Sequence, residues 1–339
     1  MLAVGRAGRA LDRAAFSPDT LPDDLVIGLA LVPSVVAGLI FFRLAAAEML
    51  VIALVVGIAA QLVCRFLFRN FLPRPEASPL IAAIIGVALV GAGASLIISL
   101  EIALLAVVLE GLRARYTPAV HAQPGLIAYA LVALATMGAP FTYINPANGQ
   151  TFFDPIHIWW KFFPPTSAPI DPIRLYVGNV PGPVFATSLM AIVIGVAWLA
   201  YARRLSPVVT LCFLLGSIVP IAIFHWDFLF QLDNGPTWFV GALILSDRRL
   251  LPDSWASRPI LGFAAGIISI GLRNRGYGPE GAFFTVAALQ AFIALVVVIV
   301  WTITGASRRR RRGRLLRKRD EQLRAVNRTE EPAGPSAVA

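Results

Sequence analysis

Ten apolar runs constrain this chain more than any other feature. They are Leu25–Phe42, Ala45–Phe68, Pro79–Ile98, Ser99–Leu112, Pro124–Pro140, Val184–Tyr201, Val208–Phe224, Pro236–Ser246, Arg258–Leu272 and Ala282–Thr304. A helix of about 20 apolar residues spans the ~30 Å hydrocarbon layer of a bilayer, and most of these runs approach that length. Lipid satisfies no backbone N–H or C=O, so such runs fold as helices. The composition agrees: 58% of the residues are hydrophobic and 14% charged, against about a quarter charged in a soluble domain. The sequence predicts an all-α polytopic membrane protein with about ten transmembrane segments.

Charge fixes the expected orientation. The chain carries 29 Lys+Arg against 19 Asp+Glu, a formal net charge of +10. With ten spans and both termini inside, 24 of the 29 cations fall on the inner side, and only Arg43, Lys161, Arg174, Arg273 and Arg275 stay outside. That bias is the positive-inside signature of a multi-pass protein of the cell inner or plasma membrane with cytoplasmic termini. Residues 1–24 read as a short cytoplasmic tail, 25–304 as the transmembrane domain with an outer loop at 141–183, and 305–339 as a basic, disordered cytoplasmic tail. Arg308–Arg312, with Arg314, Arg317, Lys318 and Arg319, suit an anchor on anionic lipid rather than a nucleic-acid surface.

The eighth run is too short to cross. Its eleven residues, Pro236–Ser246, reach about half the membrane at ~1.5 Å each. Its counterpart in a first half of five runs is the third, broken by Gly86, Gly91 and Gly93. Interrupted segments at matching positions of two halves point to two inverted five-helix repeats with half-helices and a site between them.

The most informative loop is Gly178–Ala191, GNVPGPVFATSLMA. Gly178, Pro181, Gly182 and Pro183 forbid a regular helix there. From Val184 the chain turns apolar, which places Thr187 and Ser188 in the first turn of the sixth helix, on the outer face. A hydroxyl at a helix start is either a plain capping residue or an attachment point for an anion such as a phosphate.

Other polar features carry two readings each. Trp159, Trp160, Phe162 and Phe163 around Lys161 read as an interfacial aromatic anchor, or as a lid or docking face. His225-Trp226-Asp227 reads as an ordinary polar loop or a proton-relay pair. Gly241 lets another backbone approach the short run. Asp247 at its end is either a ligand or cation site or an ion-pair partner of Arg248 or Arg249. Cys64 and Cys212 lie in apolar runs and read as packing. No Gly-rich phosphate loop, catalytic Ser/His/Asp spacing, haem motif or metal-ligand set stands out.

Three stretches together resemble the RnfD/NqrB family, the membrane subunits of the Rnf and Na+-translocating NADH:quinone reductase complexes. They are GNVPGPVFATSLMA, WFVGALILSD ending at Asp247, and RPILGFAAGIISIGLRNRGYGPEGAFFTVAALQAF with its Arg273 and Gly276–Gly281 turn. The likeness covers roughly residues 178–292, and Phe185 stands where the family commonly has Gly or Glu. The resemblance implies a membrane electron-transfer subunit carrying FMN near the outer face, possible ion translocation, and a phosphoester through Thr187. It implies a cofactor neighbourhood of Thr187, Ser188, Gly182, Gly241, Asp247 and Arg273, with a second, non-covalent flavin in the same subunit. The implied partners are other redox subunits of the complex, a flavin transferase and the lipid bilayer. Such a chain is a redox subunit rather than a stand-alone enzyme, because the cofactor carries the chemistry. Two alternatives stay open: an inverted-repeat transporter or channel without flavin, and a structural membrane component.

Overall fold

A Ser or Asp followed by Pro starts a helix well, and the computed structural model of the chain shows this at Ser78-Pro79, Asp154-Pro155, Asp171-Pro172 and Ser206-Pro207. It describes residues 21–66, 78–116, 122–251, 257–300 and 302. The two terminal tails, apart from residues 21–24, therefore lie outside the described residues, as do the side chain of Cys64 and His121. The described residues are helices and loops, with three isolated β-bridges.

In chain order, α1 is Asp23–Phe66, broken at Arg43 (φ 48°, ψ −116°) into two arms. Then come α2 Pro79–Ala88, α3 Leu96–Tyr116 and α4 Pro124–Ala135. The connecting segment holds α5 Pro155–Phe162 and α6 Pro172–Val177. Next are α7 Leu189–Tyr201, α8 Pro207–Ile223, α9 Phe228–Leu232 and α10 Gly235–Trp238. The last continues as a π-helical stretch Phe239–Ile244. The series ends with α11 Ser257–Gly271 and α12 Glu280–Val300. The compact unit falls within residues 1–293.

Two helical stretches, Asp23–Val63 and Glu280–Val300, are long and apolar enough to cross a membrane, and five apolar helices of 10–17 residues accompany them. Several run boundaries move relative to the sequence reading. The third run stops at Ala88 rather than Ile98, because Val90–Ser95 forms a turn with Gly91 N–H bonded to Pro140 O at 2.9 Å. The fourth helix starts earlier, at Leu96, and runs to Tyr116. The sixth helix starts at Leu189, not Val184, since Val184–Ala186 form a turn. Apolar composition does not separate a buried turn from a helix, and these segments are buried either way.

α2 and the helix Gly235–Ile244 are each about ten residues long, buried on almost every side. Burial all round is what a helix surrounded by protein requires. They run in opposite directions through the same core. The end of α2 is strapped to the Thr187 loop by Val184 N–H to Val90 O (2.8 Å) and Phe185 N–H to Ala88 O (3.2 Å). The start of the second short helix abuts the same loop: a Cβ on Gly235 would lie 2.2 Å from Thr187 O. At the opposite end, the start of α2 and the Arg249-Leu250 turn after the second helix line one cavity.

Glycines set the helix spacing. A Cβ on Gly125 of α4 would meet Ala82 O of α2 at 2.2 Å, and one on Gly266 of α11 would meet Phe213 O of α8 at 2.2 Å. Such contact of backbones is how membrane helices gain packing energy where lipid removes the hydrophobic incentive. Gly38 accommodates Phe185: a Cβ there would lie 2.4 Å from the ring, so the bulky residue before Ala186-Thr187 has a matching hollow. Exposed apolar side chains such as Val32, Ile40, Val55 and Leu104 cover the outward faces of α1 and α3.

Candidate functional site

The Thr187 loop is buried along almost its whole length. Val180–Leu189 are buried without interruption, with Thr187 3% and Ser188 4% exposed. Ser188, not Thr187, caps α7: its Oγ accepts from Ala191 N–H at 3.3 Å. Thr187 therefore precedes the helix, and its hydroxyl donates to Pro183 O. Gly178 (φ +94°) and Gly182 make the loop possible. A Cβ on the first would lie 2.6 Å from Ser188 Cα, and on the second 2.9 Å from Thr187 Oγ1. A cavity of about 10 Å³ beside Thr187 is lined by Asp154, Gly182, Asn234, Gly235, Pro236 and Pro279, among others.

Arg273 lies behind the start of the short helix. It is 1% exposed and donates to Gln231 O (2.8 Å), Gln231 Oε1 (2.5 Å) and Thr237 Oγ1 (2.7 Å). Among the described residues no carboxylate forms an ion pair with it. Burial pushes its pKa below the usual arginine value, against the pull of Asp154. A buried guanidinium held by neutral acceptors leaves positive potential at a helix start that is already positive.

A second cluster adjoins this one and joins the start of α5 to the start of α12. Asp154 caps α5, accepting from Ile156 N–H (2.9 Å) and His157 N–H (3.3 Å), and its other oxygen meets His157 Nδ1. His157 Nε2 faces Glu280 Oε1 at 3.2 Å. Burial alone would lower the His157 pKa, but bonding to Asp154 and Glu280 outweighs it and raises the value to about 10. Gly278 N–H also donates to Glu280 Oε1 at 3.0 Å. No spacing in the sequence announces this group; the Asp-Pro at the start of α5 and the Pro-Glu-Gly turn before α12 were its only local signals.

The remaining sequence candidates lie elsewhere. Gly241 faces the Phe213 ring, and its carbonyl accepts from Ser246 Oγ at 3.0 Å. Asp247 caps the turn Arg248–Leu250 and pairs with Arg249 at 2.8 Å, so the ion-pair reading describes it. These two residues sit toward the opposite end of the short helix from Thr187. Asp227 caps α9 by accepting from Phe230 N–H at 2.7 Å, and His225 is exposed. Trp159 is buried against Trp226 at 5.1 Å, whereas Trp160 is half exposed and covers Gly276.

At that opposite end, a cavity of about 270 Å³ is lined by Asp23, Asp24, Ser78, Glu110, Arg113 and Arg249, among others. Buried Glu110 accepts from Ser78 N–H (3.0 Å) at the start of α2 and pairs with Arg113 at 2.8 Å.

The sequence model of the NQR2, RnfD, RnfE family matches residues 24–300. The chain belongs to this family. No curated protein matches it. Membership makes it a membrane protein and a membrane subunit of Rnf- and Nqr-type complexes. In this member of the NQR2, RnfD, RnfE family, the match takes in both short helices, the Thr187 loop and the Asp154–His157–Glu280 cluster.

Proposed function

We propose that the chain is the flavin-carrying electron-transfer subunit of its complex, with FMN joined through its phosphate to Thr187 on the outer side of the membrane. The observation that carries this reading is Arg273. A fully buried guanidinium without an ion-pair partner, next to the start of the Gly235–Ile244 helix, suits an anion that this protein does not itself supply. The donor chemistry fits a phosphate ester. The cavity beside Thr187, at about 10 Å³, has the size of one water, so it seats neither the phosphate nor the isoalloxazine ring until the loop opens. FMN supplies one- and two-electron redox chemistry when bound.

The chain's own residues would position it. Pro183 O orients the Thr187 hydroxyl, Gly182 and Gly235 keep side chains away from it, and Arg273 lends positive potential through Thr237. The antiparallel pair of short helices favours two inverted halves of five segments with both termini cytoplasmic. Other redox subunits and a flavin transferase are the partners this reading requires. The test is in-gel flavin fluorescence of the denatured chain co-expressed with a flavin transferase. Wild type gives a fluorescent band and Thr187→Ala gives none; a dark wild-type band removes the covalent flavin.

A further inference from the structure

We propose that His157 and Glu280, with Asp154 behind them, form a binding site for one divalent first-row metal ion of the Zn2+ type. Donor atoms of the three residues all lie within 4.8 Å of one another. Imidazole and carboxylate together suit Zn2+ among the common divalent ions.

An ion that displaces the His157 Nε2 proton to solvent fits here without moving the chain. Two Zn bonds of about 2.1 Å meeting at a tetrahedral angle hold their ligand atoms roughly 3.4 Å apart. His157 Nε2 and Glu280 Oε1 are 3.2 Å apart. Asp154 occupies Nδ1 of the same ring, which fixes the ring and turns Nε2 toward Glu280. A carboxylate on the distal nitrogen is the usual way a protein orients a metal-binding imidazole.

One further atom points to a missing partner. Glu280 is 5% exposed and its Oε2 is buried with no hydrogen bond. Orphaned polar atoms are rare in folded proteins, and a carboxylate oxygen is among the costliest to leave unpaired. A metal ion held by both Glu280 oxygens satisfies Oε2 and places positive charge beside two buried carboxylates. Gly278 lets the turn lie against the Asp154–His157 pair that orients the ring: a Cβ there would lie 2.6 Å from His157 Nδ1 and 2.7 Å from Asp154 Oδ2. The His157 side chain is 28% exposed, so solvent water completes the coordination and gives the ion a route in. The bound ion would clasp α5 to the start of α12, beside the Thr187 cavity that Asp154 also lines.

The test uses the full chain in detergent, stripped with chelator and dialysed against ZnCl2 or CoCl2. Metal analysis and the Co2+ absorption spectrum report occupancy. One ion per wild-type chain is expected, with nitrogen and oxygen ligation and a higher thermal midpoint. Glu280→Gln and His157→Asn weaken binding at least about tenfold, while His225→Asn, at an exposed histidine, leaves it unchanged. Binding that survives both cluster substitutions overturns the proposal. So does a folded wild-type protein that takes up no Zn2+ or Co2+, since the cluster is then an ion pair of His157 with two carboxylates and nothing more. That second result stands even where a variant fails to fold.

Discussion

Gly235→Ala is the sharpest perturbation of the Thr187 site. The added Cβ would lie 2.2 Å from Thr187 O, 2.7 Å from Thr187 C and 3.0 Å from Leu189 N. Ordinary contact begins at 3.4 Å, so either the short helix or the loop retreats by about 1 Å. All three neighbours are backbone, and the loop is tied to α2 through Val90 O and Ala88 O. Neither side yields by rotating a side chain. Overpacking of this kind costs about 1–3 kcal/mol, and backbone against backbone belongs at the upper end. At roughly 1–2 °C per kcal/mol for a chain of this size, the thermal midpoint falls by about 3–6 °C. Gly271→Ala is the matched control. It has helical φ and ψ of −60° and −32°, and a Cβ there meets nothing within 4 Å. Ala in place of a helical Gly stabilises by up to about 1 kcal/mol. Circular dichroism melting in detergent reads both variants. A Gly235→Ala midpoint within about 1 °C of wild type, or an equal fall in Gly271→Ala, refutes the account of this contact.

Three further outcomes are expected. Glu110→Ala leaves the Ser78 N–H buried and unbonded at the start of α2, and lowers stability by about 2–4 kcal/mol; Glu110→Gln, which keeps an acceptor, costs less than half of that, as read by thermal midpoint. Arg273→Lys removes the fork that serves Gln231 and Thr237 together, costing about 2–3 kcal/mol in the same assay and weakening flavin attachment in gel. Asp247→Asn breaks a partly exposed ion pair but keeps a cap for Arg249 N–H, so stability changes by less than about 1 kcal/mol and flavin fluorescence is unchanged.

The sequence made the helical membrane architecture readable because lipid permits few alternatives to apolar helices, and eleven residues at Pro236–Ser246 could not be anything but short. The α2 boundary was not readable. Gly91 and Gly93 mark a break, yet the apolar residues around them continue through a buried turn and hide where the helix stops. Thr187 was placed inside its helix for the same reason, whereas the helix begins at Leu189 with Ser188 as its cap, and only geometry separates the two neighbouring hydroxyls. Asp247 illustrates two level readings resolved by a local contact, since Arg249 two residues on reaches its carboxylate. The Asp154–His157–Glu280 cluster lay beyond any pattern search. Asp154 and His157 are neighbours on α5, but Glu280 lies more than a hundred positions on, and it meets them because Trp159 packs inside and Trp160 covers Gly276, which seats α5 against the turn before α12.

The central claim is that Thr187 carries the flavin, and peptide mass spectrometry tests it most directly. The chain is co-expressed with a flavin transferase, purified and digested, and the peptide containing Gly178–Ala191 is weighed and fragmented. The account predicts a mass increase of one FMN less one water, with the fragment series placing it on Thr187 and not on Ser188. An unmodified peptide, or a flavin mapped to any other residue, contradicts it.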